Sequence, residues 1–369
     1  GEWFRLELVD PSGSRRASPE VVWVKVQQLA PDLSRSVIYI SASRFIKAFP
    51  SALVRKLDGT RVSWPGRPDE EVVVAGESGG YGIDARTFAE MAERLAAYAV
   101  DVSLAGLDLY PTDLLLVSIP VFDPIDRRLL LSDPRQPGYG AERAARYREA
   151  RRQLWSALDR ELARLLAGVD LATTTVFLVS PYANVAVFAD VDVRELLRLA
   201  PELGNVPSPP DRAWRAVAAA GGIAHVYLSI AGRDAGGVLE AASAGRTARA
   251  VRDVLARARD GASPLFERVL LREEAAALGL DRPESGDVIV FARPGYRLVE
   301  SSMDLVAVTR RPDVHAAAGY AASLAESRGF LLTLGRGVKA GKADAKARVT
   351  DVAGRVARAI GLKLPKRAR

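Results

Sequence analysis

The first forty residues carry three extended apolar segments, Trp3 to Val9, Val21 to Gln27 and Ser36 to Ser41. Pro11-Ser12-Gly13 and Ala30-Pro31-Asp32 separate them, so a small antiparallel β unit is expected. A loop-rich stretch follows from Asp58 to Gly82, with Trp64-Pro65-Gly66 and Gly79-Gly80. Phe88, Met91, Leu95 and Tyr98 then recur on one helical face and predict a helix over Ala85–Gly106. Leu114 to Val121 is nearly all apolar, the pattern of a strand buried on both faces of a parallel sheet, delivering Asp123 into a loop. A long amphipathic helix is expected at Ala141–Ala167 and a second buried strand at Thr174–Ser180.

Short helices are expected at Val193–Leu199 and Arg212–Ala219, before a strand at His225–Ile230 and a helix at Ala242–Ala258. Strands near Phe266–Leu271, Val288–Phe291, Leu305–Thr309 and Gly329–Leu334 and a helix at Val349–Ile360 complete the chain. This alternation predicts an α/β protein with a mostly parallel sheet covered by helices. The expected division is a β-rich part at 1–84, an α/β core at 85–362 and a basic tail at 363–369.

Composition narrows the chemistry. The chain has 369 residues, 49% of them hydrophobic and 26% charged, ordinary values for a globular protein with a sizeable core. No run of 18 apolar residues is present, so no membrane span is expected, and the start Gly1-Glu2-Trp3 shows no signal-peptide pattern. The sequence does not assign a compartment. There is no cysteine, which excludes disulfides, thiolate metal sites and a cysteine nucleophile. Only two histidines are present, His225 and His315. The net charge of +7 is dispersed apart from Lys339–Lys346 and the tail, and no nucleic-acid module accompanies it, so nucleic acid is not an expected partner. Abundant Arg, Ala and Val with few Met is a thermophile-like composition.

Several motifs, in this order, resemble the alkaline-phosphatase superfamily, in its type I phosphodiesterase and nucleotide pyrophosphatase-like branch. They are the opening Gly1-Glu2-Trp3 with its strands, the run Val226–Val238, and Phe266–Leu270 with Glu273–Leu280. Gly286–Tyr296 and Arg328–Lys339 are the most family-like stretches. The resemblance implies a three-layer core, with residues 1–84 as an inserted β subdomain. It also implies two divalent metals, usually zinc, held by Asp and His at strand ends, and a Thr or Ser nucleophile. Paired cations of this kind activate the nucleophile and neutralise the transferring phosphoryl group.

The matching positions depart from that pattern. Asp123 matches a ligand aspartate, but Arg127 stands at the histidine four residues on. The Ser-Asp-His-Gly turn of the family becomes Ser180-Pro181-Tyr182-Ala183, and Ala318 stands where a late histidine precedes a glycine. His315 lies three residues upstream of Ala318 as a substitute candidate. The family's first ligand and nucleophile fall before the β insertion, upstream of this sequence. Asp123 and His315 are therefore the residual metal candidates, and Arg127, Arg128 and Arg135 are anion-binding candidates, with pairing of an arginine to Asp123 expected. Asp126 and Asp133 read as loop residues, His225 as a core histidine, and Gly232–Gly237 as a turn rather than a phosphate loop. Ser180 lacks a nucleophile-elbow pattern.

The expectation is a catalytically degenerate member of the superfamily, with no catalytic residues and no cofactor, acting through a protein partner or self-association. The alternative is a Zn- or Mn-dependent phosphodiesterase or phosphatase completed by a nucleophile-bearing segment.

Overall fold

The computed structural model describes residues 2–8, 20–32, 34–43, 51–58, 64, 66–77, 82–203, 214–300, 306–341, 344 and 347–363. The Pro11–Gly13 and Gly79–Gly80 turns and the basic tail beyond Lys363 lie outside them. The chain divides into two compact units, one comprising Gly1–Leu129, Ala145–Ser180 and Phe330–Arg369, the other Leu130–Ala144 and Pro181–Gly329.

The first unit opens with the expected β unit: β1 (Trp3–Leu8), β2 (Glu20–Leu29) and β3 (Ser36–Ile40) form an antiparallel sheet in that order. Its inner face meets α3 (Ala85–Leu109) through aromatic and charged side chains. The Arg94 guanidinium lies 4.4 Å from the Trp23 ring centre, with Trp3 at 5.2 Å and Trp64 at 5.8 Å. Glu90 accepts from Trp3 Nε1 at 2.8 Å and pairs with Lys25, so the one buried lysine of the sheet is neutralised. Burial depresses the Arg94 pKa, opposed by Glu90 and Glu93. Asp84 starts α3 by accepting from the Thr87 amide at 2.7 Å, and Phe88, Met91, Ala92, Ala96 and Val100 form its buried stripe. Helices α1 (Ser51–Asp58), α2 (Glu70–Glu77) and α4 (Phe122–Leu129) pack beside α3. The helix α5 (Ala141–Ala167) buries Tyr147, Ala150, Leu154 and Ala157, a helical spacing.

Leu114–Val121 is not the expected buried strand. No described strand is hydrogen-bonded to it, and Leu116 is 82% exposed. A doubly buried strand needs ladder partners for its backbone groups, and none stands beside this run among the described residues. The next strand, β4 (Thr175–Tyr182), pairs instead with β15 (Arg328–Gly335).

The second unit holds a four-stranded sheet in the order β10-β11-β7-β6, antiparallel throughout, from β6 (Trp214–Ala220), β7 (Ile223–Leu228), β10 (Phe266–Leu271) and β11 (Val288–Ala292). Helix α7 (Ala241–Arg257) covers it with Val251 and Leu255 against a core of Val226, Leu228, Val288 and Val290. The helix expected at Arg212–Ala219 is strand β6 over Trp214–Ala220. Its alanines favour helix locally, but pairing along β7 prevails.

A further strand, β5 (Val185–Asp192), is the hub of the unit: β12 (Gly295–Val299) joins it in parallel, while β13 (Val308–Thr309) and β14 (Ala316–Ala317) join antiparallel. The described ladders are thus mainly antiparallel, and β5–β12 is the parallel pair, rather than the mostly parallel sheet expected. Asp192 caps α6 (Val193–Arg198), accepting from the Glu195 amide at 2.9 Å.

Asp190 and Arg297 face each other across the β5–β12 register. The guanidinium grips the carboxylate at 2.7 and 2.6 Å, and its second nitrogen also reaches Asp313 at 2.6 Å. Burial pushes the Asp190 carboxyl up, with Arg297 opposing, and Asp190 in turn raises Arg297. Removing one partner strands a buried charge, whereas replacing both by apolar groups does not. Asp190→Ala is expected to lower the unfolding free energy by about 3 kcal/mol in urea titration. The pair Asp190→Leu with Arg297→Met should recover most of it; an equal loss in the double variant would contradict the assignment.

Candidate functional site

Asp123 lies in the first turn of α4, not in a loop, while Arg127 and Arg128 lie in its last turn. Acid first and base last is the arrangement the helix dipole favours, and Pro124 fits the first turn because its missing N–H has no partner to lose there. Phe122 stacks on Trp155 with ring centres 3.9 Å apart.

The arginines turn to Glu70 rather than to Asp123. Glu70 Oε2 lies 3.3 Å from Arg127 Nε and 3.0 Å from Arg128 Nε. Asp126, expected in a loop, is on α4 and receives Arg151 Nε at 2.8 Å. Glu70 thus faces Arg127 and Arg128, and Asp126 faces Arg151. A divalent cation needs surplus negative charge and several oxygen or nitrogen donors, and the guanidiniums at this site supply neither. The anion candidates Arg127 and Arg128 already meet an internal carboxylate.

In the second unit, Pro181 and Tyr182 end β4, with Tyr182 46% exposed, and the Ala183 amide donates to Ser327 O at 3.0 Å. Proline offers no side-chain donor. Ala318 is held by its backbone, its carbonyl accepting from the Gly222 amide at 2.8 Å. Gly221 lies beneath that carbonyl at φ 67°, where an added Cβ would come within 2.1 Å of the oxygen.

His315 is partly buried, and its carbonyl accepts from the Val187 amide at 2.9 Å and from Gln136 Nε2 at 2.7 Å. Gln136 is a key residue that the sequence pattern did not single out. It is 2% exposed, and its amide also donates to Leu130 O while accepting from the Ser132 and Asp133 amides, each at 2.7 Å. All its bonding capacity is used to hold the 130–136 loop to the His315 backbone. An isolated polar residue in a loop carries no periodic signal that would have marked it. Arg135 forks onto Asp133, holding that carboxyl below its ordinary pKa, and lies 4.0 Å over the Phe188 ring.

Asp123 and His315 belong to different units, and among the described residues no group of three or more His, Asp or Glu is placed to hold a metal. At the family's positions Pro181 and Ala318 offer no side-chain donor, and Arg127 offers a cation. Gly232–Gly237 is a turn, with Gly232 and Gly236 at positive φ. Within it, Arg233 binds Asp287 at 2.6 and 2.9 Å, which raises its pKa. His225 sits on β7, where its Nδ1 accepts from the Gly286 amide at 3.0 Å and burial depresses its pKa.

The chain belongs to the type I phosphodiesterase / nucleotide pyrophosphatase family, whose model matches residues 15–321. Membership carries the α/β fold of the alkaline-phosphatase superfamily. Among solved structures, murine ectonucleotide pyrophosphatase / phosphodiesterase 5, in an inactive form in complex with AMP, is 13% identical with a TM-score of 0.41, over 67% of this chain and 54% of that one. The human counterpart is 12% identical with a TM-score of 0.42 and the same coverage of 67% and 54%. Phosphonoacetate hydrolase from Sinorhizobium meliloti 1021, in complex with phosphonoformate, is 14% identical with a TM-score of 0.45, over 83% of this chain and 69% of that one. The chain thus spans about half the length of the ectonucleotide pyrophosphatases it matches. No curated protein matches it at a significant level. No described helix is long and apolar enough to cross a membrane.

Two outcomes follow. Glu70→Gln leaves two guanidiniums facing a neutral amide and is expected to lower stability by about 1–2 kcal/mol in urea titration; an unchanged midpoint would show that the cluster does not hold α2 to α4. Because the folded-state pKa of His225 is depressed, its contribution is fully present above the ordinary value near 6.5 and is lost as pH falls below it. His225→Asn places an oxygen near the Nδ1 acceptor without a titrating group. Its stability should decline less than wild type between pH 7.5 and pH 5.5, and parallel declines would contradict the role.

Proposed function

We propose that this chain is a binding and interaction module on a phosphodiesterase-type scaffold, working without hydrolytic chemistry or a bound metal, through a protein partner or a second copy of itself. One observation carries the reading. The position that the resemblance assigns to a ligand histidine is Arg127, and its guanidinium lies 3.3 Å from the carboxylate of Glu70. A fixed cation paired in this way opposes a divalent ion. Pro181 at a second ligand position adds no donor.

The family match over residues 15–321 favours a second reading, a Zn- or Mn-dependent phosphodiesterase or phosphatase completed by a nucleophile-bearing segment outside this sequence. The two differ in turnover. The purified chain, incubated with Zn²⁺ or Mn²⁺ and an aryl phosphodiester, is expected to release product no faster than buffer. Metal-dependent release that is lost on chelation would select the enzyme reading.

A further inference from the structure

The outer face of the β1–β2–β3 sheet is apolar and uncovered. Phe4, Leu6 and Leu8 project from β1 at 51%, 51% and 45% exposure, and Ile38 and Ile40 from β3 at 50% and 62%. The register places them on one side, because Phe4 and Ile40 both face Val24, Leu6 faces Val22 and Ile38 faces Val26. A bulge between Val26 and Gln28 changes the phase of β2, so that Leu29, 58% exposed, pairs with Ser36 and rejoins the row. Between the two outer rows lie the shorter side chains of Val22, Val24 and Val26, which are buried or half-buried. The face is a shallow valine-floored trough between two ridges of larger residues. The opposite face holds Trp3, Trp23 and Lys25 against α3, and its exposed residue Glu7 is charged rather than apolar.

We propose that this face binds the same face of a second copy of the chain, forming a two-fold dimer by sheet-on-sheet packing. The proposal rests on the interaction reading above and names its surface. Three features favour a second copy. The exposed rows are apolar; Glu20, opposite Leu8 at the end of the face, is charged but half-buried and accepts from Ser43 Oγ at 2.6 Å. A ridge-and-trough face is complementary to itself when two sheets cross, the ridge of one copy entering the trough of the other. The six half-exposed side chains leave roughly 100 Å² each, so two copies would bury roughly 1,200 Å² in all, above the roughly 1,000 Å² that a specific interface needs.

The test uses the full chain in sedimentation equilibrium and chemical cross-linking. Wild type should sediment at twice the mass of one chain, and Leu6→Glu combined with Ile40→Glu should sediment as a monomer with its circular dichroism and melting retained. The chain has no cysteine of its own, so Val24→Cys introduces a unique thiol. A bismaleimide reaching about 10 Å, the spacing of packed sheets, should join two copies through it. That result decides the matter even if the glutamate variant folds poorly. Monomeric wild type at every concentration, or a dimer that tolerates both glutamates and is not linked through Val24→Cys, would overturn the proposal. The second result would leave the interaction reading standing with a different surface. Metal-dependent turnover would instead remove that reading without bearing on the face.

Discussion

One carboxylate placed against two guanidiniums governs the region where the family's chemistry would lie. Glu70 reaches Arg127 and Arg128 together, which draws α2 onto α4 and fixes the last turn of that helix. Asp123 is then the first-turn acid of a short helix, and Asp126 takes Arg151. Each charge has an internal counterpart or a favourable helix end. The stabilisation is local, since partly exposed ion pairs contribute modestly one by one. Its larger consequence is electrostatic, because two guanidiniums beside one carboxylate disfavour a cation at that point.

The second unit follows the same logic through backbone bonds and packing. Asp190 and Arg297 pin the parallel register of β5 and β12, Gln136 holds the 130–136 loop to His315, and the Gly221–Gly222 turn lies under Ala318. The polar groups are engaged in holding strands and loops rather than converging on one point. In the reading proposed here, the scaffold's use has passed from chemistry at these strand ends to recognition at a surface, the uncovered β1–β2–β3 face.

Elements with strong local signals were legible in the sequence. The helices at Ala85 and Ala141, the antiparallel N-terminal strands and β10 at Phe266–Leu271 stand where periodicity and turn residues put them. Failures occurred where tertiary partners decide. Alanine-rich β6 reads as helix until β7 pairs with it, and Leu114–Val121 reads as a buried strand although no described strand pairs with it. The hub strand β5, Val185–Asp192, was passed over although it is continuously apolar up to Asp190. At the candidate site, the unusual residues Arg127, Pro181, Tyr182 and Ala318 were visible in the sequence. The partner of Arg127 was not, since Glu70 is far along the chain and no local rule joins them. The Asp-Pro then Arg-Arg order of α4 was available as a helix signature and would have moved Asp123 out of a loop.

The central claim of the proposed reading is that Arg127, facing Glu70, keeps the family's ligand positions from holding a catalytic metal. Elemental analysis of the purified chain, after incubation with Zn²⁺ and Mn²⁺ and exhaustive dialysis, tests it most directly. The account predicts no stoichiometric metal retained per chain. Two equivalents retained would contradict it and place a two-metal centre on a donor set other than the one traced through Asp123, Arg127, Pro181, Tyr182 and Ala318.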